Sequence, residues 1–184
     1  MAASVGRDER LRLFLAIRLP EPAVEALAGW QARELRGRIV PRENLHVTLA
    51  FLGSRPAGEL PAIRGVLERA AAEAVPLRLD VTGYRETRSV GMLTLADEAD
   101  AAAALAERLH GELEQLGVYR REARPWLPHV TVLRFRERPR LRPEPPTLGW
   151  VSSDAAAFLS RLHPPSPAAT AARYEVLDSF RLGG

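Results

Sequence analysis

Two stretches of the sequence, Asn44-Leu-His-Val-Thr-Leu-Ala-Phe-Leu52 and Pro128-His-Val-Thr-Val-Leu-Arg134, share a His-Val-Thr core. Each core lies in a β-branched, apolar segment, which predicts a β-strand. Side chains at positions i and i+2 share one face of a strand, so each histidine lies beside its threonine and over an apolar back. The repeat predicts two related lobes, each of which contributes one such strand.

The rest of the chain alternates between strand and helix signals. Apolar runs bounded by proline or glycine predict strands, and the seven segments are 11–19, 44–52, 76–82, 90–95, 126–135, 155–162 and 174–182. Apolar residues at helical spacing predict helices at about 21–35, 57–74 and 97–116. Four prolines within 138–147 predict a loop. Strands and helices in this mixed order indicate an α+β fold.

The composition is that of an ordinary folded chain. Its 184 residues are 46% hydrophobic and 27% charged, and we predict a single two-lobed domain over 1–184 with a flexible N-terminus at 1–10. The absence of cysteine excludes disulfides, zinc–thiolate sites and cysteine nucleophiles. No apolar run approaches the ~20 residues of a membrane span, and the first ten residues lack an apolar signal core. We therefore expect a cytoplasmic protein without a membrane partner.

The basic residues of the chain are all arginine. The formal net charge is only +3, but the pI is near 10.1 because none of the 26 basic residues is lysine. Arginine keeps its charge at every relevant pH and binds phosphate through two parallel N–H donors. A coding bias towards arginine and alanine also explains the total, so only clusters of arginine bear on function.

The two His-x-Thr strands supply groups that suit phosphate-ester chemistry. If both strands face one cleft, it holds the imidazoles of His46 and His129 and the hydroxyls of Thr48 and Thr131. One imidazole can take a proton from the attacking oxygen while the other gives one to the leaving oxygen. The hydroxyls can donate hydrogen bonds to the non-bridging oxygens, where negative charge accumulates.

Two other interpretations of these histidines stay open. Each can be a half-buried strand residue, hydrogen-bonded to a neighbour and without a chemical role. A zinc site is the second alternative, but two histidines without a His-x-x-x-His pair supply few ligands, and we predict no metal. His110 and His163 are interpreted as structural or exposed. The sequence has no Gly-rich phosphate loop and no dinucleotide fingerprint, so no cofactor is predicted.

The sequence resembles the two-histidine (2H) phosphoesterases, which carry paired His-x-Thr motifs. Within them it is most similar to the bacterial and archaeal RNA 2′,3′-cyclic phosphodiesterases, also called LigT-like 2′-5′ RNA ligases. The resemblance covers nearly the whole chain and includes 13–17, 40–53, 128–134, 158–161 and 173–177. It implies two pseudo-symmetric lobes of mainly antiparallel sheet, with helices on the outer faces and an active-site cleft between the lobes.

The resemblance also implies an activity, namely hydrolysis of a 2′,3′-cyclic phosphate at an RNA end to a 2′-phosphate. Carried over, His46 would protonate the leaving 3′-oxygen and His129 would activate water, although the near symmetry of the motifs leaves this order open. The implied partner is RNA with a cyclic phosphate terminus, with tRNA fragments and small cyclic nucleotides as candidates. We expect a monomer.

Arg134 lies five residues after His129, where enzymes of this family place a phosphate-binding arginine. The first motif has Phe51 at the matching position. Strand parity puts Arg134 on the face opposite His129, so a bulge or a strand end near Leu133 is required to bring it into the cleft. An exposed arginine without a role is the alternative.

Three further arginines, Arg42, Arg124 and Arg136, are predicted to contact RNA. Arg42 and Arg124 precede the motif strands, and Arg136 belongs to an alternating run of arginines over 134–142. If extended, that run would form a basic stripe suited to an RNA backbone. The alternative is a solvated, proline-rich loop.

Two other functions remain possible from the sequence. The same site run in reverse gives a 2′-5′ RNA ligase, which joins a cyclic phosphate end to a 5′-hydroxyl. The other is a nucleotide- or RNA-binding module without useful turnover, although binding alone does not need two histidines and two threonines.

Overall fold

The computed structural model describes residues 9–161 and 172–183, and in that part of the chain nine strands form one sheet accompanied by three α-helices. The strands are β1 (Arg10–Arg18), β2 (Arg38–Ile39), β3 (His46–Pro56), β4 (Leu77–Glu86), β5 (Val90–Asp97), β6 (His129–Arg134), β7 (Gly149–Ser152), β8 (Asp154–Arg161) and β9 (Arg173–Arg181). The helices are α1 (Glu21–Glu34), α2 (Leu60–Ala72) and α3 (Ala101–Gln115). None of the described helices is long and apolar enough to cross a membrane.

The two motif strands lie next to each other at the centre of the sheet. The strand order is β7-β4-β5-β6-β3-β1-β8-β9, every neighbouring pair is antiparallel, and β2 adds to β6. β3 and β6 are paired only through Val47 and Val130. The expected α+β fold with two antiparallel lobes is confirmed, and the lobes are halves of one continuous sheet that meet at this single pair.

All three helices cover the same face of the sheet. One core cluster joins Val47 and Val130 of the motif strands to Leu27 of α1, Leu67 of α2 and Leu109 of α3. These five side chains are fully buried. The apolar back of each His-x-Thr strand therefore packs against the helices, and the histidine face is turned away from them.

The predicted element boundaries shift where proline or a short length is involved. β6 begins at His129 rather than at 126, and Pro125 and Pro128 lie in the segment before it, where each lacks the N–H that a ladder needs. β2 and β7 were not predicted because two to four residues are too short to show alternation. The loop predicted over 138–147 is confirmed.

Three sequence-based expectations fall wholly or partly outside the described residues. These are the flexible N-terminus, of which 1–8 lie outside, the exposed or structural His163, and the end of the strand predicted over 155–162.

The start of α3 provides a test of the fold. The carboxylate of Asp97 accepts hydrogen bonds from the backbone N–H groups of Ala102 (2.9 Å) and Ala103 (2.8 Å). We expect Asp97→Ala to lower the free energy of unfolding by about 1 kcal/mol, because two N–H groups of the first turn lose their acceptor. Urea denaturation measures this. Glu98→Ala, in the same turn, is the control and is expected to change stability by less than about 0.5 kcal/mol.

Candidate active site

His46, the first residue of β3, is held at both ring nitrogens. Its Nδ1 lies 2.8 Å from the carbonyl oxygen of Asn44, and its Nε2 lies 3.0 Å from Thr48 Oγ1. A carbonyl oxygen only accepts, so Nδ1 carries the proton. In the neutral ring Nε2 is then the acceptor, and the Thr48 hydroxyl donates to it. The predicted pairing of this histidine with its threonine on one strand face is confirmed.

The His46 ring is packed among three aromatic side chains. Its centroid is 4.8 Å from that of Phe14, 5.9 Å from Phe158 and 5.4 Å from Tyr174, with Tyr174 edge-on. Burial here lowers the pKa of His46 to about 4, and the positive charges of Arg134 and His129 act in the same direction against the Asn44 hydrogen bond. His46 is therefore a neutral imidazole at pH 7.

His129, the first residue of β6, repeats the same backbone contact. Its Nδ1 lies 2.8 Å from the carbonyl oxygen of Leu127, again two residues earlier in the chain. The same donor argument assigns the proton to Nδ1 and leaves Nε2 as the acceptor of the neutral ring. The His129 side chain is partly exposed to solvent, and its backbone lies opposite Thr94 of β5 in the sheet.

A β-bulge interrupts β6 after its threonine. Thr131 is opposite Met92 of β5 and Leu133 is opposite Gly91, so Val132 has no partner on that strand. Val132 and Leu133 are both buried on the helix side, and strand parity is reset. Arg134 thereby shares a face with His129, and the bulge that its position required is confirmed.

The first motif strand has the same irregularity at the same place. Thr48 is opposite Ala16 of β1 and Ala50 is opposite Leu15, so Leu49 has no partner. The residue five positions after His46 is Phe51, and it faces the cleft as Arg134 does. Phe51 is 49% exposed, and the Arg12 guanidinium lies 4.9 Å from the centre of its ring.

Two adjoining cavities open on this face. A small one of about 100 Å³ is lined by His46, Thr48, Thr131, Arg134 and Tyr174 among others. The larger one, of about 690 Å³, is called the groove below. Among its lining residues are Thr48, His129, Arg85, Arg124 and Trp126, and both cavities include Thr48 and Phe51. The structure thus brings together both predicted histidines, both predicted threonines and Arg134.

The other predicted arginines are placed differently. Arg124 lines the groove and is highly exposed, with its guanidinium 3.5 Å from the Glu122 carboxylate, whereas Arg42 is ion-paired with Glu21 and lines neither cavity. Arg136 is exposed and also lines neither cavity. The alternating stripe does not form as an extended strand, because β6 ends at Arg134 and the backbone turns left-handed at Arg140 with φ of +57°.

Two contributors to the site were not predicted as site residues from the sequence. Tyr174 comes from β9, and its hydroxyl lies 3.4 Å from Arg134 Nη2. Trp126 donates its indole N–H to the carbonyl oxygen of Thr48 at 2.9 Å and so ties the segment before β6 to β3. Both contacts join residues far apart in the chain, which only the sheet order brings together. Within 9–161 and 172–183, no group of three or more histidine or acidic side chains is arranged to hold a metal ion.

Comparison with known families agrees with this geometry. The 2′-5′ RNA ligase superfamily profile matches residues 19–169, a range that includes both His-x-Thr motifs. The chain belongs to this superfamily. A curated RNA 2′,3′-cyclic phosphodiesterase of Thermus thermophilus is 36% identical, over 95% of this chain and 91% of that protein. The family membership that the paired motifs implied is confirmed.

Two solved structures share the fold. TT0787 of Thermus thermophilus superimposes with a TM-score of 0.80 at 34% identity, over 95% of this chain and 99% of that one. LigT of Escherichia coli, crystallised with 3′-AMP, superimposes with a TM-score of 0.82 at 26% identity, over 96% of this chain and 100% of that one.

The low pKa of His46 predicts that the stability of the protein depends on pH. Its folded pKa lies below the unfolded value of about 6.5, so the unfolded chain binds more protons and stability falls as pH drops from 6.5 to 4. The loss from this residue is at most about 3.5 kcal/mol, because the pKa differs by about 2.5 units at 1.4 kcal/mol per unit. We expect His46→Asn, which keeps a donor near the Nδ1 position, to flatten this part of the profile in urea denaturation. Equal slopes for wild type and variant would contradict the burial of a neutral ring.

Proposed function

We propose that this protein hydrolyses the 2′,3′-cyclic phosphate at an RNA end to a 2′-phosphate, with a histidine pair as acid and base and without a metal ion. The observation that carries the proposal is the matched state of the two histidines. Each donates Nδ1–H to the carbonyl two residues earlier, which leaves its Nε2 as the proton-transferring atom. The curated relative of the same superfamily that bears the name RNA 2′,3′-cyclic phosphodiesterase supports the reaction.

The phosphate is bound in the small cavity. Arg134 supplies a fixed positive charge, and the Thr131 hydroxyl supplies a hydrogen-bond donor for the non-bridging oxygens. Thr48 becomes a second donor once His46 Nε2 is protonated and no longer accepts its O–H. Tyr174, near the Arg134 guanidinium, is a further donor within reach of the same oxygens. These groups stabilise the charge that grows on the phosphate as water attacks.

The two histidines take different roles because their surroundings differ. His46 is neutral in the free protein, since burial and nearby positive charges lower its pKa. An anionic phosphate beside Nε2 reverses the sign of the local potential and raises that pKa, so His46 takes up a proton as substrate binds. It then donates the proton to the 3′-oxygen, and His129 removes a proton from water.

Nucleobase recognition is assigned to Phe51 and the groove. Phe51 is an exposed aromatic ring at the mouth of both cavities, and base stacking on such rings contributes about 1–3 kcal/mol per base. Arg124 at the groove is available to the RNA backbone. The 3′-AMP held by LigT of Escherichia coli is a nucleotide of the same chemical kind as this substrate end. We also propose that the protein is a monomer in the cytoplasm, as expected from the sequence.

The decisive experiment uses a short RNA that ends in a 2′,3′-cyclic phosphate, with EDTA present. We expect wild type to produce the 2′-phosphate, and His46→Ala and His129→Ala each to slow turnover at least about 100-fold, as the loss of a general acid or base does. Chromatography that resolves 2′- and 3′-phosphate products gives the readout, and Glu98→Ala is the unaffected control. Binding without turnover in the wild type would favour the binding-module interpretation instead.

A ligase activity is the second candidate, and the membership of the 2′-5′ RNA ligase superfamily favours it. The same acid–base pair would join two RNA ends if a 5′-hydroxyl took the place of water: His129 removes the hydroxyl proton, the 5′-oxygen attacks the cyclic phosphate, and His46 protonates the departing 3′-oxygen. Adding an excess of 5′-hydroxyl RNA to the assay detects it as a longer product.

Proton uptake on binding tests the role given to His46. The ligand is a 2′-5′-linked diadenosine phosphodiester, whose phosphate keeps one charge between pH 5 and 7. Calorimetry at pH 6 in two buffers of different ionisation enthalpy should show uptake approaching one proton per ligand, because the pKa of free His46 is about 4. His46→Asn should remove this uptake. A wild-type complex without uptake would assign His46 as the base.

A further inference from the structure

The bulges of the two motif strands share a feature on the helix side of the sheet. In a bulge the extra residue has no partner on one of the neighbouring strands, so the ladder on that side does not hold it in place. The extra residues are Leu49 in β3 and Val132 in β6. Each has a carbonyl oxygen that accepts a hydrogen bond from a buried side chain of a helix.

In β6 the donor is Gln31 of α1. Its Nε2 lies 2.9 Å from the Val132 carbonyl oxygen and 3.1 Å from the Val40 carbonyl oxygen. The backbone N–H of Val40 also donates to the Val132 carbonyl oxygen at 3.0 Å. The Gln31 side-chain amide therefore binds the bulge and the segment before β3 at the point where they are already hydrogen-bonded to each other. Gln31 is 2% exposed and lines neither cavity. The side-chain amide of Gln31 therefore binds backbone carbonyl oxygens and lies outside the cavities proposed to hold the substrate.

In β3 the donor is His110 of α3. Its Nε2 lies 2.8 Å from the Leu49 carbonyl oxygen, and since a carbonyl only accepts, Nε2 carries the proton. The ring stacks on Tyr119 at 4.8 Å between centroids and is 5% exposed. His110 borders the groove, but its donor is committed to the strand.

We propose that Gln31 and His110 are positioning residues that hold the two bulges, and so keep Arg134 and Phe51 on the cleft face. Without the extra residue, strand alternation would turn the fifth residue after each histidine towards the helices. Two different helices supply a donor to the same position of each motif, three residues after the histidine. The inference rests on the proposed function for the statement that the cleft binds a phosphate. The positions of the bulges and of their two donors do not depend on that function.

The first test changes Gln31 and measures the pKa of His46. Arg134 lowers the pKa of His46 by its charge, so moving Arg134 out of the cleft should raise that pKa. We expect Gln31→Met, which is similar in length but has no donor, to raise it as far as Arg134→Met does when the His46 ring is titrated by NMR. Gln31→His, which restores a donor, should return it to the wild-type value.

A double-mutant cycle on phosphate binding separates positioning from general damage. We expect Gln31→Met to weaken inorganic phosphate binding about tenfold or more, as loss of a charged hydrogen bond does. The double variant Gln31→Met/Arg134→Met should bind no more weakly than Arg134→Met alone. Additive losses, or a folded Gln31→Met with wild-type affinity and wild-type His46 titration, would overturn the proposal. If Gln31→Met does not fold, Gln31→Asn, too short to reach both carbonyls, takes its place in the cycle.

The second test concerns His110 and uses a fluorine label on Phe51. With 4-fluorophenylalanine at this position, His110→Met should shift the ¹⁹F resonance, and His110→Gln, which keeps a donor near Nε2, should not. An unshifted resonance in a folded His110→Met would overturn this half of the proposal. None of these readouts needs turnover. A protein that fails to hydrolyse RNA but passes them refutes the proposed function and keeps the positioning role.

Discussion

The alternation of side chains along a strand limits which residues of each motif can share the cleft face. A regular strand would place a histidine and the residue five positions later on opposite faces. Both motif strands break the alternation at the same point, with a bulge three residues after the histidine. The buried pairs Leu49–Ala50 and Val132–Leu133 lie on the helix side of these bulges. One local irregularity, used twice, thus gathers imidazole, hydroxyl, guanidinium and aromatic groups on a single face.

The two halves of the sheet are alike in backbone but different in environment. His46 lies against Phe14, Phe158 and Tyr174, whereas His129 borders the open groove. Burial disfavours the charged imidazole, so the same motif produces a neutral ring in one half. A pseudo-symmetric fold can therefore give the same motif two unlike environments, and an acid–base pair needs two histidines with different roles.

Much of the architecture was readable from local patterns because those patterns are local in origin. Helical spacing of leucines located α3, and the β-branched His-x-Thr segments located β3 and β6. The irregularity beside Leu133 came from the family resemblance, which implies a phosphate-binding role for Arg134 and so requires a bulge or a strand end to bring it into the cleft; the structure has the bulge. Other features escaped because they depend on distant partners. Tyr174 enters from the far end of the chain, and the short β2 and β7 exist only through pairing with β6 and β4.

Local sequence patterns were enough for the α+β class and for the two motif strands. They were also enough for the pairing of each histidine with its threonine, because an i, i+2 relation needs nothing beyond a strand. The tertiary structure decided the rest. It placed the two strands side by side through Val47 and Val130 and buried one histidine more than the other. It also gave the bulge carbonyls their donors, Gln31 and His110. These features come from contacts between segments far apart in the chain, and no short-range pattern encodes such contacts.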